Sequence, residues 1–232
     1  MKQKHIMWDI DGTLIVTGGA GGDAMIKVIK DYYFLDAFAF PQSLAGRTDS
    51  EIIKSAVTFI RGRCHLSEVA SLIIRYQMEL PKFLPKYQGR IMKNVEKTLQ
   101  YFSQPESKFK NCLLTGNIRM GAKLKLEHYK LAKFFDFDRS AFGELAEDRR
   151  DLAKIALQRA YLEDQSFTAK DMIFIGDTIN DVVCAHSIGA RCIIILDGSS
   201  RKREDFNECK PWKILDALPD NPADFAKMLE EE

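Results

Sequence analysis

Two aspartates one residue apart, Asp9 and Asp11, follow the apolar run Ile6-Met7-Trp8 and precede Gly12 and Thr13. The run reads as the end of a buried strand, so the fold delivers two carboxylates to one edge of a sheet. Carboxylates are seldom buried without a partner, and two together call for a cation or a charged ligand. Two further apolar runs end in polar residues. Asn111-Cys112-Leu113-Leu114 leads to Thr115-Gly116-Asn117, and Met172 to Ile175 leads to Gly176-Asp177-Thr178. Asp181 follows Asp177 by four positions, and a helix starting near Ile179 would turn both acids toward one crevice. Three or four acids with few balancing side chains repel one another, and a hard divalent cation such as magnesium offsets that repulsion.

The elements that must position these residues follow an α/β pattern. A fourth apolar run, Cys192 to Leu196, completes a set of strands that alternate with helices. The helices are marked by Val95, Leu99 and Phe102, by Met120, Leu124 and Leu126, by Leu152, Ile155, Ala156 and Ala160 behind Asp148 as N-cap, and by Asp181 to Ile188. Phe134 to Phe142 reads as closing a turn and starting a strand. This alternation argues a Rossmann-like parallel sheet with helices on both faces, which binds ligands beyond the carboxyl ends of its strands. From Asp23 to about Lys86 the pattern is helical throughout. Ile52, Ile53, Ala56, Val57 and Ile60 keep a 3.6 period behind a capping box at Thr48-Asp49-Ser50-Glu51, and Val69, Leu72, Ile73 and Tyr76 line a further helix. The chain therefore divides into a core domain, 1–16 and 89–232, and an inserted all-helical unit, 17–88. The glycine-rich Thr17-Gly18-Gly19-Ala20-Gly21-Gly22 at its entrance suits a hinge better than a ligand cradle. No Gly-Lys-Ser/Thr follows it, and the dinucleotide glycine spacing is absent.

With 232 residues the chain can bury a sizeable core, and 34 basic against 33 acidic residues leave a formal charge of +1. Nothing in that balance draws it to nucleic acid or to an anionic membrane. The five cysteines form no C-x-x-C pair and read as reduced, buried thiols. No signal core is evident, and no apolar stretch approaches the ~20 residues needed to cross a bilayer. A soluble, cytoplasmic protein is expected, and no oligomeric state is assigned.

Asp9-Ile10-Asp11-Gly12-Thr13, Leu114-Thr115-Gly116-Asn117 and Gly176-Asp177-Thr178-Ile179-Asn180-Asp181 occur in an order that resembles the haloacid dehalogenase-like (HAD) hydrolases. The helical unit resembles the α-helical cap of the phosphoglycolate phosphatase subgroup, in which Gly46-Arg47-Thr48-Asp49 is similar to a substrate-facing turn. The resemblance implies a magnesium-dependent phosphatase acting on a small phosphorylated metabolite, phosphoglycolate being the first candidate by cap type. Asp9 would be the nucleophile and Asp11 the general acid and base. Magnesium would be held by Asp9, the Asp11 carbonyl and Asp177, with Asp181 acting through water. Thr115, with Gly116 and Asn117, would hold the phosphoryl oxygens, and Arg47 would contact substrate or else lie solvated on the cap.

The lysine such enzymes carry ahead of the last acidic motif is missing. The corresponding stretch reads Gly143-Glu144-Leu145-Ala146-Glu147-Asp148-Arg149-Arg150-Asp151-Leu152. Arg149 is the favoured substitute, with Arg150 and Lys154 as alternatives, because a guanidinium supplies the same permanent charge with a fork suited to phosphate. The cap's return segment likewise reads Lys93-Asn94-Val95 in place of Pro-Gly-Val. A phosphomutase with the same acids is the alternative activity, and a HAD-fold binding protein that has lost catalysis is the alternative class.

Overall fold

The computed structural model describes residues 3–231. Its core is a five-stranded, all-parallel sheet in the order β4-β1-β5-β6-β7, built from β1 (Lys4–Trp8), β4 (Phe109–Leu113), β5 (Met172–Gly176), β6 (Arg191–Ile195) and β7 (Lys213–Leu215). Along each strand alternate residues enter opposite layers, as the two-residue period of a pleated strand requires. Ile173, Ile175, Ile193 and Ile195 pack on α4 (Val95–Phe102), α5 (Arg119–His128) and α8 (Pro222–Glu230). Met172, Phe174, Cys192 and Ile194 face α6 (Arg149–Glu163) and α7 (Ile179–His186) on the other side. Burial on both faces explains why β1, β5 and β6 read as continuous apolar runs.

Three helices leave the core after β1: α1 (Ala20–Tyr33), α2 (Asp49–Arg61) and α3 (Leu66–Phe83). They share a hydrophobic core of their own around Val28, Ile53, Val57, Leu72 and Leu80, to which α5 contributes Ile118 from its N-cap and Leu124. The chain enters and leaves this unit through a two-stranded antiparallel ribbon, β2 (Ile15–Val16) and β3 (Arg90–Ile91).

Several sequence expectations change here. The 23–86 block is not helical throughout: α1 ends at Phe34, left-handed at φ 55°, and 35–48 runs as a loop past Pro41 to α2. Thr48 does cap α2, accepting from the Glu51 N–H at 3.1 Å, but the Glu51 carboxylate turns to Arg47, so the box is half closed. Gly18 and Gly19 lie in the turn at φ 66° and 99°, whereas Gly21 and Gly22 lie inside α1, so only half of the glycine cluster serves a bend. The 134–142 segment forms no strand. Ala141 makes a single bridge to Leu114, and the Ser140 hydroxyl accepts the Leu113 N–H that a neighbouring strand would otherwise take. Of the five cysteines, Cys64 is exposed between α2 and α3, and Cys209 is half-buried. No helix is long and apolar enough to cross a membrane among the described residues.

Candidate active site

The carboxyl ends of β4, β1 and β5, adjacent in that order from one edge of the sheet, converge on a cleft of about 310 Å³ that the helical unit covers. Asp9 leaves β1 with its N–H bonded to the Ile175 carbonyl of β5 at 2.9 Å, which fixes its backbone beside that strand. Its carboxylate is buried and shares a cluster with Asp177 and Asp181, whose oxygens approach within 4.8 Å of one another. Burial, and then the neighbouring carboxylates, push Asp9 up to about 7 even though Arg149 opposes the rise; burial, Asp181 and Asp9 push Asp177 up to about 8. Gly12 lies at φ 86°, and a Cβ there would stand 2.4 Å from the Asp177 carboxylate, so the turn after β1 demands glycine both sterically and conformationally.

Asp181 has both oxygens engaged. Oδ2 accepts from the N–H (2.9 Å) and hydroxyl (2.7 Å) of Thr178, closing a capping box at the start of α7, while Oδ1 takes Arg149 at 2.5 Å. The Arg149 guanidinium also lies 3.5 Å from Asp9. Asp148 caps α6 by accepting the Arg150 N–H, which aims the next residue, Arg149, into the site. Arg150 instead pairs with Asp148 in solvent, and Lys154 pairs with Asp151, so of the three candidate cations only Arg149 meets the acids. Arg149 is buried, and its charge is held by Asp181 and Asp9 against the cost of burial.

Asp11 lies apart from that cluster. Its carboxylate receives both Lys125 (2.7 and 2.8 Å) and the Asn117 amide (2.7 Å), so the side chain is not among the three clustered acids; the metal-ligand expectation for Asp11 concerned its carbonyl. Thr115 is fully buried, and its hydroxyl accepts from the Asn117 amide at 2.9 Å. Gly116 sits so close to the helical unit that a Cβ would stand 2.1 Å from the Arg47 carbonyl, and its own carbonyl accepts the Asp49 N–H at 2.8 Å. Arg47 lines the cleft, but its guanidinium is engaged by Glu51 at 2.9 Å and by Ser55 at 2.7 Å.

Comparison with family models gives a match to the HAD-hydrolase-like family over residues 150–221, which include Asp177 and Asp181. Fold comparison extends the likeness along the chain. CbbY from Rhodobacter sphaeroides in complex with phosphate superposes with TM-score 0.72 at 15% identity, covering 93% of this chain and 94% of that one. A predicted phosphoglycolate phosphatase from Haemophilus somnus gives 0.67 at 17% identity over 99% of each chain. A haloacid dehalogenase-like family hydrolase from Streptococcus pneumoniae gives 0.63 at 16%, covering 98% and 99%. Residues 150–221 are HAD-like, and the chain as a whole shares the fold of these structures. No curated protein matches it by sequence.

Two lining residues carry more of the site than the sequence reading gives them, Lys125 being absent from it and Asp49 present only as part of a turn. Lys125 is 4% exposed on α5, and its three donors are matched by the two Asp11 oxygens and the Asn117 carbonyl at 2.7 Å. Burial works against its charge, but Asp11 and Asp49 outweigh it. The signal was present: Lys125 falls beside Leu126 and three residues after Ala122, on the apolar face of its helix. Asp49, at the first position of α2, is buried and accepts the Ile118 N–H at 3.0 Å. In the sequence it stands within the turn Gly46-Arg47-Thr48-Asp49, with no role beyond that of an acid in a first helical turn.

Proposed function

We propose that this chain is a magnesium-dependent phosphatase that releases inorganic phosphate from a small phosphomonoester through an acyl phosphate on Asp9. The observation that carries this reading is the buried Asp9 carboxylate, with Arg149 at 3.5 Å and Asp177 in the same cluster, facing a cleft that Asp11 enters two residues later. The residues suit the metal. Asp9 and Asp177 offer hard oxygen donors crowded into one buried cluster, while Asp181 is committed to Thr178 and Arg149 and supports the site from behind. Four carboxylates and three cations line the cleft, so a phosphate dianion needs further positive charge to enter. When bound, magnesium supplies that charge and keeps Asp9 ionised.

The chain's own groups then divide the work. A carboxylate oxygen of Asp9 forms a bond to phosphorus as the bond to the leaving oxygen breaks, and Asp11 gives that oxygen its proton. Water next attacks phosphorus, Asp11 takes the proton, and the bond from phosphorus to Asp9 breaks to release phosphate and the free carboxylate. Arg149 offsets charge at Asp9, while the Thr115 hydroxyl and the Gly116 N–H would donate to phosphoryl oxygens and Asn117 would hold Thr115 in place. Residues 17–88 act as the cap that closes this cleft to water, with 1–16 and 89–232 as the catalytic core.

The test is phosphate release from a panel of small phosphomonoesters with and without magnesium. Wild type turns over only with a divalent metal, and Asp9→Asn falls at least about a thousandfold, the scale on which loss of a nucleophile is felt. Equal activity of Asp9→Asn, or no release with any divalent ion, overturns the proposal. Conversion of a sugar phosphate to its isomer in the presence of a trace of bisphosphate, without phosphate release, would mark a mutase instead.

A further inference from the structure

Beyond the reacting end, the cleft continues toward the helical unit and meets a second group of polar side chains. Tyr76 of α3 lines it, is fully buried, and its hydroxyl has no hydrogen-bond partner. A buried hydroxyl without a partner is costly, and natural structures rarely keep one unless something else satisfies it. Asp49 lines the same wall, its Oδ2 occupied by the Ile118 N–H. Two glycines stand beside these groups, Gly21 lining the cleft itself. The position a Cβ would take on Gly21 lies 3.5 Å from both the Tyr76 hydroxyl and the Lys125 ammonium, and that on Gly121 lies 3.6 Å from both the Asp49 carboxylate and the Tyr76 ring.

The charges of this wall discriminate between leaving groups. Each cation lining the cleft is already paired: Arg47 with Glu51 at 2.8 Å, Lys125 with Asp11 at 2.7 Å, and Arg149 with Asp181 at 2.5 Å. Lys125, the cation nearest Tyr76, has no donor left. A carboxylate on the leaving group would therefore face Asp49 without a free positive partner, and like charges in a buried cleft repel strongly. A hydroxyl meets the opposite situation, because it can donate to the Asp49 carboxylate and accept from the Tyr76 hydroxyl.

We infer that Asp49 and Tyr76 form a leaving-group subsite for a hydroxyl, so the phosphomonoester taken here carries a polyol rather than a carboxylate. This assignment rests on the phosphatase reading for its chemistry, but binding tests it separately from turnover. Titration calorimetry on magnesium-loaded Asp9→Asn protein compares glycerol phosphate with phosphoglycolate. Glycerol phosphate binds at least about tenfold more tightly, the discrimination expected when one partner leaves a buried charge or polar group unmatched. Adding Tyr76→Phe, which removes a hydroxyl bonded to nothing in the protein, leaves the melting temperature in place and weakens glycerol phosphate about tenfold relative to phosphoglycolate. Adding Asp49→Asn, which keeps an acceptor for Ile118, moves the ratio toward phosphoglycolate by a similar factor. Equal or tighter binding of phosphoglycolate, binding of neither ligand, or a ratio unmoved by both substitutions overturns the subsite. Absence of turnover in wild type with this binding preference intact would overturn the phosphatase reading alone.

Discussion

Lys125 shows how much of the site depends on one side chain that carries no motif. Its ammonium holds Asp11 by both oxygens and Asn117 by its carbonyl, so one group sets the direction of the proposed acid and of the residue that bonds Thr115. Lys125→Met keeps most of the stem's packing but leaves Asp11 with only the Asn117 amide. We expect kcat to fall between about tenfold and a hundredfold with KM little changed, the pattern of a group that positions the acid rather than binding substrate. A matched loss confined to KM would assign Lys125 to substrate instead. The acids themselves were legible because each stands at the end of an apolar run, where a carboxylate has no packing role. Arg149 was legible because the position was expected to carry a cation. Lys125 was not, and Asp49 was legible only as part of a turn, since a lysine in a helix and an acid in a first turn acquire a specific role only once tertiary contacts bury them.

The elements divide between those whose burial is complete and those whose burial is partial. β1, β4, β5 and β6 announce themselves as apolar runs, and helices α4, α6 and α7 by their apolar positions. β7 is three half-buried residues, Lys213 to Leu215, at the sheet edge, and β2 and β3 are two residues each; strands so short leave no period to read. The contact between α2 and the loop after β4 is equally invisible in sequence, although it joins the helical unit to the site. Asp49 N–H to Gly116, Ile118 N–H to Asp49, and the Asn180 amide to the Gly46 carbonyl tie these elements together. Gly116→Ala drives a methyl into the Arg47 carbonyl and separates them. The expected result is at least a tenfold loss of kcat/KM with far-ultraviolet circular dichroism unchanged. Wild-type kinetics would mean that the two backbones can part without consequence for the site.

At the scale of the molecule, the acid cluster opposes folding until something neutralises it. Asp9 and Asp177 have pKa values raised to about 7 and 8, above the unfolded value of 3.8, so the folded chain binds more protons than the unfolded one between those limits. Without metal, this contribution to stability is present below the unfolded pKa and is lost as pH rises through 7 to 8. On the proposed function, magnesium would reverse the penalty by binding only the folded, deprotonated site. The melting temperature in saturating magnesium should rise over the metal-free value by several degrees at pH 8 and by much less at pH 6, as scanning calorimetry would record. An equal rise at both pH values, or none, would place magnesium elsewhere.

The strand order carries a consequence for how the chain is made. β1 emerges first from the ribosome, yet its two sheet partners are β4, about a hundred residues later, and β5, more than sixty after that. Helices α1, α2 and α3, which follow β1, close their own core mainly through contacts among themselves, and such sequence-local contacts form early. A nascent chain can thus carry a folded helical unit while β1, apolar from Ile6 to Trp8, waits unpaired. Synthesis must pass Asp181 before the acids, Arg149 and the strand ends that hold them can meet. Stalled or truncated chains ending before β5 should expose an aggregation-prone strand rather than a weakened enzyme.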